Sequence, residues 1–330
     1  MITIKKKIGV PKYKQIINSI EDAIVSGTLK KGDQIPSINT VKDNNNLSRD
    51  TVLTAFNELK SRGIIHSIVG KGYYVSSENV NVTQKIFLLF DELNSFKEDL
   101  YNAFLEHLGE NIQVDIFFHH FNKNIFSKLI HDNSGDYNYY VIMPANLKGT
   151  SEFIALLLQE KVYILDQVHD DLLDYPSIYQ NFEKDIFNNL TNALHLIVRY
   201  NKLILVFSEA KQPEGMLKGF ELFCASNTLN FEVIQSLKDR MLKKGELYII
   251  PDDKSLLRII KKIKSEELKL AIDIGIISYN DTLLKEIVEG GITTISTDFN
   301  LMGKRLAEMI LNKEQLKIEN PNNLIIRNSL

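Results

Sequence analysis

Residues 36–75, PSINTVKDNNNLSRDTVLTAFNELKSRGIIHSIVGKGYYV, decide how the chain is read. Pro36 keeps Ile35 out of the helical region, and Ser37 is placed to cap a short helix that ends in Asn44-Asn45-Asn46. Ser48 then caps a second helix. Its apolar residues Val52, Leu53, Ala55, Phe56 and Leu59 recur at helical spacing, while Arg49, Asp50 and Asn57 fall on the opposite side. Gly63 stops that helix. Two short apolar runs, Ile64–Ile68 and Tyr73–Val75, flank Val69-Gly70-Lys71-Gly72, whose glycines allow a sharp reversal. Upstream, Pro11 opens a further helical pattern of Tyr13, Ile16, Ile17, Ile20, Ala23, Ile24 and Val25, which Gly27 closes. The prediction is three helices followed by a β-wing.

A helix-turn-helix presents the first turn of its second helix to the major groove of duplex DNA, where an arginine can grip guanine O6 and N7. Arg49 stands at that position. Lys71 at the wing tip offers sequence-blind attraction to phosphate. The charge distribution agrees: residues 1–76 carry 12 Lys+Arg against 6 Asp+Glu, and the remainder 27 against 36. A basic head on an acidic body directs a polyanion to the head.

The series Tyr13, Ile16, Ile24, Gly27, Leu29, Gly32, Ile35-Pro36-Ser37, Leu47-Ser48-Arg49, Thr51-Val52, Ala55-Phe56, Leu59, Gly63-Ile64-Ile65 and Gly70-Lys71-Gly72-Tyr73-Tyr74-Val75 resembles the GntR family of bacterial winged-helix regulators. By that resemblance Ser48, Arg49 and Thr51, with Gly70 and Lys71 of the wing, contact DNA. Ser37, Asn39 and Tyr73 complete the set of candidate contacts. Where the family usually has arginine, this chain has Asn39, and often also Leu53.

Residues 77–84 are polar and rich in Ser and Asn, as an interdomain linker is. From 85 to 330 the pattern changes. Apolar runs at 86–90, 139–143, 162–165, 203–207, 247–250 and 274–277 alternate with helical segments, which implies an α/β body of parallel strands buried on both faces. Six such runs predict two α/β lobes, with a ligand at the strands' carboxyl ends. Asp91, Asp166, Asp252 and Asn280 follow strands directly and suit a polyhydroxylated ligand, and Phe96 or Tyr179 could stack on a sugar face. An aspartate in such a turn is equally suited to capping the next helix.

The stretch 273–282, DIGIISYNDT, followed by Ile292–Phe299, Gly303 and Ala307, is similar to LacI/GalR-type, periplasmic-binding-protein-like effector domains; Leu165-Asp166 and Lys218-Gly219-Phe220 extend the match. The resemblance implies that Asp166, Asp252, Asn280 and Thr297 line a ligand cleft. Most sugar-binding members carry arginine where Met216 stands.

Catalysis finds little support. No Gly-x-Gly-x-x-Gly follows a strand, no Walker loop occurs, and the seven histidines show no metal-ligand spacing. The adjacent pair His119-His120, taken as strand residues, should point to opposite faces with partial exposure. A pyridoxal-dependent body would need a reactive lysine, for which only Lys202 or Lys211 could be nominated. No cofactor or metal is expected. The one cysteine, Cys224, cannot form an internal disulfide and should be buried. The basic start, Met1–Lys7, is followed by no apolar leader, and no stretch reaches membrane-spanning length. The expected protein is a cytoplasmic homodimeric regulator of carbohydrate-utilisation genes. It binds operator DNA, makes no membrane contact, and is released by a monosaccharide or sugar phosphate. Repression is the favoured direction, and an activator of the same architecture remains open.

Overall fold

A computed structural model describes residues 10–330, so the basic start Met1–Lys7 lies outside the described residues. The head follows the predicted order: α1 (Lys12–Val25), β1 (Gln34–Ile35), α2 (Ile38–Asn45), α3 (Arg49–Ser61), β2 (Ile65–Ile68) and β3 (Gly72–Val75). Ser37 and Ser48 cap α2 and α3 by accepting from the backbone N–H groups of Thr40 and Thr51. A Ser-to-Ala change at such a cap costs about 1 kcal/mol. β3 lies between β1 and β2, antiparallel to both. The small core holds Ile16, Ile20, Val52, Phe56, Leu59 and Val75, all fully buried. Val25 belongs to the α1 periodicity but is 71% exposed at its last position, past the end of the packed stripe.

The body continues through β4 (Gln84–Phe90), α4 (Ser95–Leu108), β5 (Ile112–Phe118), α5 (Lys123–Asn133), β6 (Tyr139–Ile142), α6 (Ser151–Ile154), β7 (Val162–Asp166), β8 (Ser177–Tyr179), α7 (Phe182–Asn192), α8 (Leu194–Ile197) and β9 (Lys202–Val206). It ends with α9 (Glu214–Ser226), β10 (Phe231–Ile234), β11 (Glu246–Ile250), α10 (Asp253–Ser265), β12 (Ile274–Tyr279), α11 (Leu283–Ile287), β13 (Thr293–Thr297), α12 (Phe299–Leu311), β14 (Lys317–Glu319) and β15 (Asn322–Ile325).

Two compact units emerge. The first comprises the chain through Phe90 with 108–142 and 149–163; the second comprises 91–107, 143–148 and 164–330. In the first, β4 pairs in parallel with β5 and β6. In the second, β8 pairs in parallel with β7 and β14, and a separate sheet has the order β10-β9-β11-β12-β13-β15. That sheet is parallel except for β15, which runs antiparallel to β13. Its faces carry two apolar clusters, one around Phe220, Phe223 and Ile277, the other around Tyr248, Ile259 and Ile276.

All six apolar runs are strands. The strands they miss are mostly short or half-exposed: β10 alternates exposed and part-buried, and β5 is mostly part-buried. A continuous apolar run marks a strand covered on both faces and is silent about sheet edges. The histidine pair requires correction, because it sits in the turn after β5. His119 is fully buried, with its ring edge-on to Phe126, and His120 is exposed at positive φ. Cys224 is wholly buried in the first apolar cluster, with burial pushing its thiol up to about 12.

Two motif glycines act through close approach. A Cβ on Gly219 in α9 would lie 2.4 Å from the Glu183 carbonyl oxygen in α7, and one on Gly303 in α12 would lie 2.3 Å from the Leu100 oxygen in α4. Gly219→Ala should therefore push two helices apart and lower unfolding free energy by about 1–3 kcal/mol. A urea midpoint matching wild type would refute the close-approach account.

Candidate functional site

The head presents the first turn of α3 and the wing tip. Arg49 is exposed one residue after the cap, and the described residues offer it no ion pair or side-chain hydrogen bond. The Ser48 and Thr51 hydroxyls lie 2.7 Å apart, and those of Ser37 and Thr40 2.8 Å apart, so these serines are committed to their caps while remaining exposed. Asn39 is exposed on α2, and Thr51 is half-buried. In the wing, Gly70 and Gly72 have φ of +73° and +112°, and the Lys71 carbonyl accepts from Gln34 Nε2 at 2.7 Å. The turn is thus fixed by its backbone, leaving the exposed Lys71 side chain to project. Tyr73 serves the core as well, since its ring meets Phe56 edge-on at 4.9 Å.

A second polar assembly lies within the second compact unit. Asp91, directly after β4, is buried and forms an ion pair with the equally buried Lys97 in the first turn of α4. Asp166 ends β7 at φ +74°, and both its backbone oxygen and its Oδ1 accept from Gln180, the latter at 2.5 Å from Nε2. Gln180 Oε1 in turn accepts from the hydroxyls of Tyr279 at 3.2 Å and Thr297 at 2.6 Å. Asn322 Nδ2 donates to the Thr297 hydroxyl, and its Oδ1 accepts from Asn189 Nδ2. One hydrogen-bonded chain therefore joins the carboxyl ends of β7 and β8 to those of β12 and β13.

Burial raises the Asp166 carboxyl to about 6; the Lys97 ammonium opposes the shift and the Asp91 carboxylate adds to it. Those opposing influences place the Asp91–Lys97 pair beside Asp166. Asn280, at φ +61°, is also buried, and its Oδ1 has no hydrogen-bond partner among the described residues. Its backbone oxygen is held by Lys285, a buried lysine that also donates to the Tyr279 oxygen and pairs with Asp253. An acceptor left without a donor costs about 1–3 kcal/mol, which a ligand hydroxyl would recover.

Of the residues expected to meet a ligand, Asp91, Asp166 and Thr297 enter this assembly. Others have structural duties. Asp252 caps α10 by accepting from Ser255 N–H at 2.8 Å. Phe96 packs against Phe299 at 4.8 Å, which occupies one face of its ring. Tyr179 is half-buried in β8, in register with Asp166. Lys97, Gln180, Tyr279, Asn189 and Asn322 were missed. A lysine or an amide on a helix, and amides next to or at the start of strands, carry no signature until the fold brings them together. Met216 is buried among Phe220 and its neighbours, so the usual arginine is replaced by packing. Lys202 and Lys211, the nominated lysines, pair with Glu232 and Glu92. Among the described residues no cluster of His, Cys, Asp and Glu could hold a metal ion, and no helix is long and apolar enough to cross a membrane.

Residues 12–75 match the family described as bacterial regulatory proteins, gntR family. Over 100 residues the chain is 33% identical to the HTH-type transcriptional repressor YtrA of Bacillus subtilis, covering 30% of this chain and 73% of YtrA. The chain belongs to the gntR family. It is also 36% identical over 107 residues to the mannosyl-D-glycerate transport/metabolism system repressor MngR of Escherichia coli, covering 32% of this chain and 41% of MngR. The fold is similar to that of a LacI family transcriptional regulator from Lactobacillus casei solved with bound glucose, with a TM-score of 0.62 and 14% sequence identity over 74% of this chain and 99% of that one. This gntR-family chain thus joins a winged-helix head to a body with the LacI-type, periplasmic-binding-protein-like fold.

The raised Asp166 carboxyl has a pH consequence. Its ordinary value is 3.8, so between about pH 4 and 6 the folded chain keeps a proton that the unfolded chain has released. Stability from this group therefore falls as pH rises through that window and stays lower above it, by at most about 3 kcal/mol. Asp166→Asn should shrink the loss of stability between pH 4.5 and 7 in urea denaturation. An identical loss in both proteins would show that Asp166 is not the group responsible.

Proposed function

We propose that this chain is a sequence-specific repressor of carbohydrate-utilisation genes, with a DNA-reading head to residue 76, a linker over 77–84 and an effector body from 85 onward. The observation that carries the reading is the pairing, in one chain, of an uncommitted Arg49 at a recognition-helix N-terminus with a buried donor-and-acceptor assembly at strand ends. Arg49 reads a base edge in the major groove, Ser37, Asn39, Ser48 and Thr51 fix the helices on the backbone, and the wing residues Gly70, Lys71 and Tyr73 approach phosphate. The body takes a small polyhydroxylated effector, a monosaccharide or a sugar phosphate, at Asp91, Asp166, Asn280 and Thr297. Phe96, Tyr179 and Asp252 border that place. MngR, named for a sugar-derived substrate, and the glucose-bound neighbour support a carbohydrate.

The chain acts as a cytoplasmic homodimer and performs no catalysis. Two heads read half-sites about one helical turn apart, or a multiple of it, so an effector that changes their spacing weakens both contacts together. A coupling of about 1–3 kcal/mol changes operator affinity 5–150-fold. Arg49→Ala should lose about 1–3 kcal/mol of preference for the selected duplex. Lys71→Ala should weaken all duplexes alike and reduce the salt slope by about 1. Fluorescence anisotropy on duplexes selected from a random pool measures both, with unselected duplex for comparison. Unchanged discrimination in Arg49→Ala would sink the assignment of the reading head. Asp166→Ala should keep operator binding but lose the response to any monosaccharide that releases wild type.

A further inference from the structure

The end of the recognition helix is fastened to the body. Lys60 Nζ forms an ion pair with Asp136 at 2.6 Å, and the buried Ser61 hydroxyl accepts from Asn138 Nδ2 at 3.2 Å. Arg62 Nε and Nη2 donate to the backbone oxygens of Val82 and Val80 at 2.8 and 2.9 Å, and its guanidinium also pairs with Glu21 of α1 at 2.5 Å. Gly63 follows with the Lys85 stem against it: a Cβ there would lie 3.1 Å from Lys85 Cδ. Four consecutive residues, 60 to 63, therefore meet either the linker or the body. All of these groups lie in the first compact unit.

Asn138 is the meeting point. Its Oδ1 accepts from the Lys85 N–H and its own N–H donates to the Lys85 oxygen, both at 2.8 Å, so it is bonded to the start of β4 through backbone and side chain together. Its remaining amide hydrogen-bonding group holds Ser61. The linker is no loose tether either: Arg62 takes two of its carbonyls, Val82 is buried, and the Lys31 N–H donates to Glu78. The other end of β4 runs directly into Asp91.

We propose that Lys60, Ser61 and Arg62, with Asn138 as relay, form a rigid joint that transmits the state of the Asp91 end of β4 into the orientation of the recognition helix. The proposal rests on the reading of α3 as the operator-reading helix and of Asp91 as part of the effector site. A strand moves nearly as a unit along its own axis, so a displacement at Asp91 carries Lys85 and Asn138 with it, and Asn138 carries the end of α3. Helix α3 is about 20 Å long, and a tilt of about 5° about its anchored end shifts Arg49 by about 2 Å, enough to break a base contact.

Binding linkage is reciprocal, so operator DNA can serve as the probe in place of the effector. The experiment is hydrogen exchange on the full chain, with and without saturating selected duplex, read in peptides covering 86–97. Wild type should change its exchange there by about fivefold or more, within the range of allosteric coupling. The double variant Lys60→Ala/Ser61→Ala should bind the duplex with the same base preference and show no such change. Asn138→Ala should behave likewise, and the double variant, which leaves the Lys85 pairing in place, decides the matter if Asn138→Ala does not fold. Duplex binding without any change over 86–97 in wild type, or a change that persists in the folded double variant, overturns the joint alone. A wild-type chain that prefers no duplex overturns the operator reading and the joint with it.

Discussion

Parallel strand pairing is the constraint on which the buried polar assembly of the body depends. Strands that run the same way place their carboxyl ends on one edge, and the residue following each strand is delivered there whatever its distance in sequence. Asp91, Asp166 and Thr297 are separated by 75 and 131 positions and belong to three different strands or their ends. Asp91 and Asp166 follow strands of one sheet and owe their shared edge to that common direction, whereas Thr297 ends a strand of the other sheet and is tied in through the Gln180 amide. Burial then dictates the partners, because a carboxylate withdrawn from water requires a cation or donors: Lys97 for Asp91 and Gln180 for Asp166.

How far the sequence could be read depended on the range of the interactions. In the head the signals are local: Ser37 and Ser48 cap helices three residues ahead, and the glycines at 63, 70 and 72 adopt the positive φ values that their turns need. Helix bounds there match expectation nearly residue for residue. In the body, buried central strands announce themselves by unbroken apolar runs, whereas β5, β10 and the three-residue β8 and β14 do not.

The candidate sites divide along the same line. Arg49 and Lys71 are legible because their positions follow from a cap and a turn. Asp252 illustrates the ambiguity of an aspartate after a strand, since its carboxylate is occupied with the N–H of Ser255. Gln180 could not be singled out in advance: its partners Asp166, Tyr279 and Thr297 lie 14, 99 and 117 residues away, and only the folded chain brings them within reach. The same is true of Asn138, which touches residues 53 and 77 positions earlier.

The burial of Cys224 has a practical corollary. A wholly enclosed thiol whose ionisation is displaced to about 12 presents almost no nucleophilic thiolate near neutrality. The native chain is accordingly a silent background for maleimide chemistry. A cysteine engineered onto an exposed position such as Asn57 or Val69 would be the sole reactive sulfur, and dyes or spin probes could be attached there without first removing the natural one.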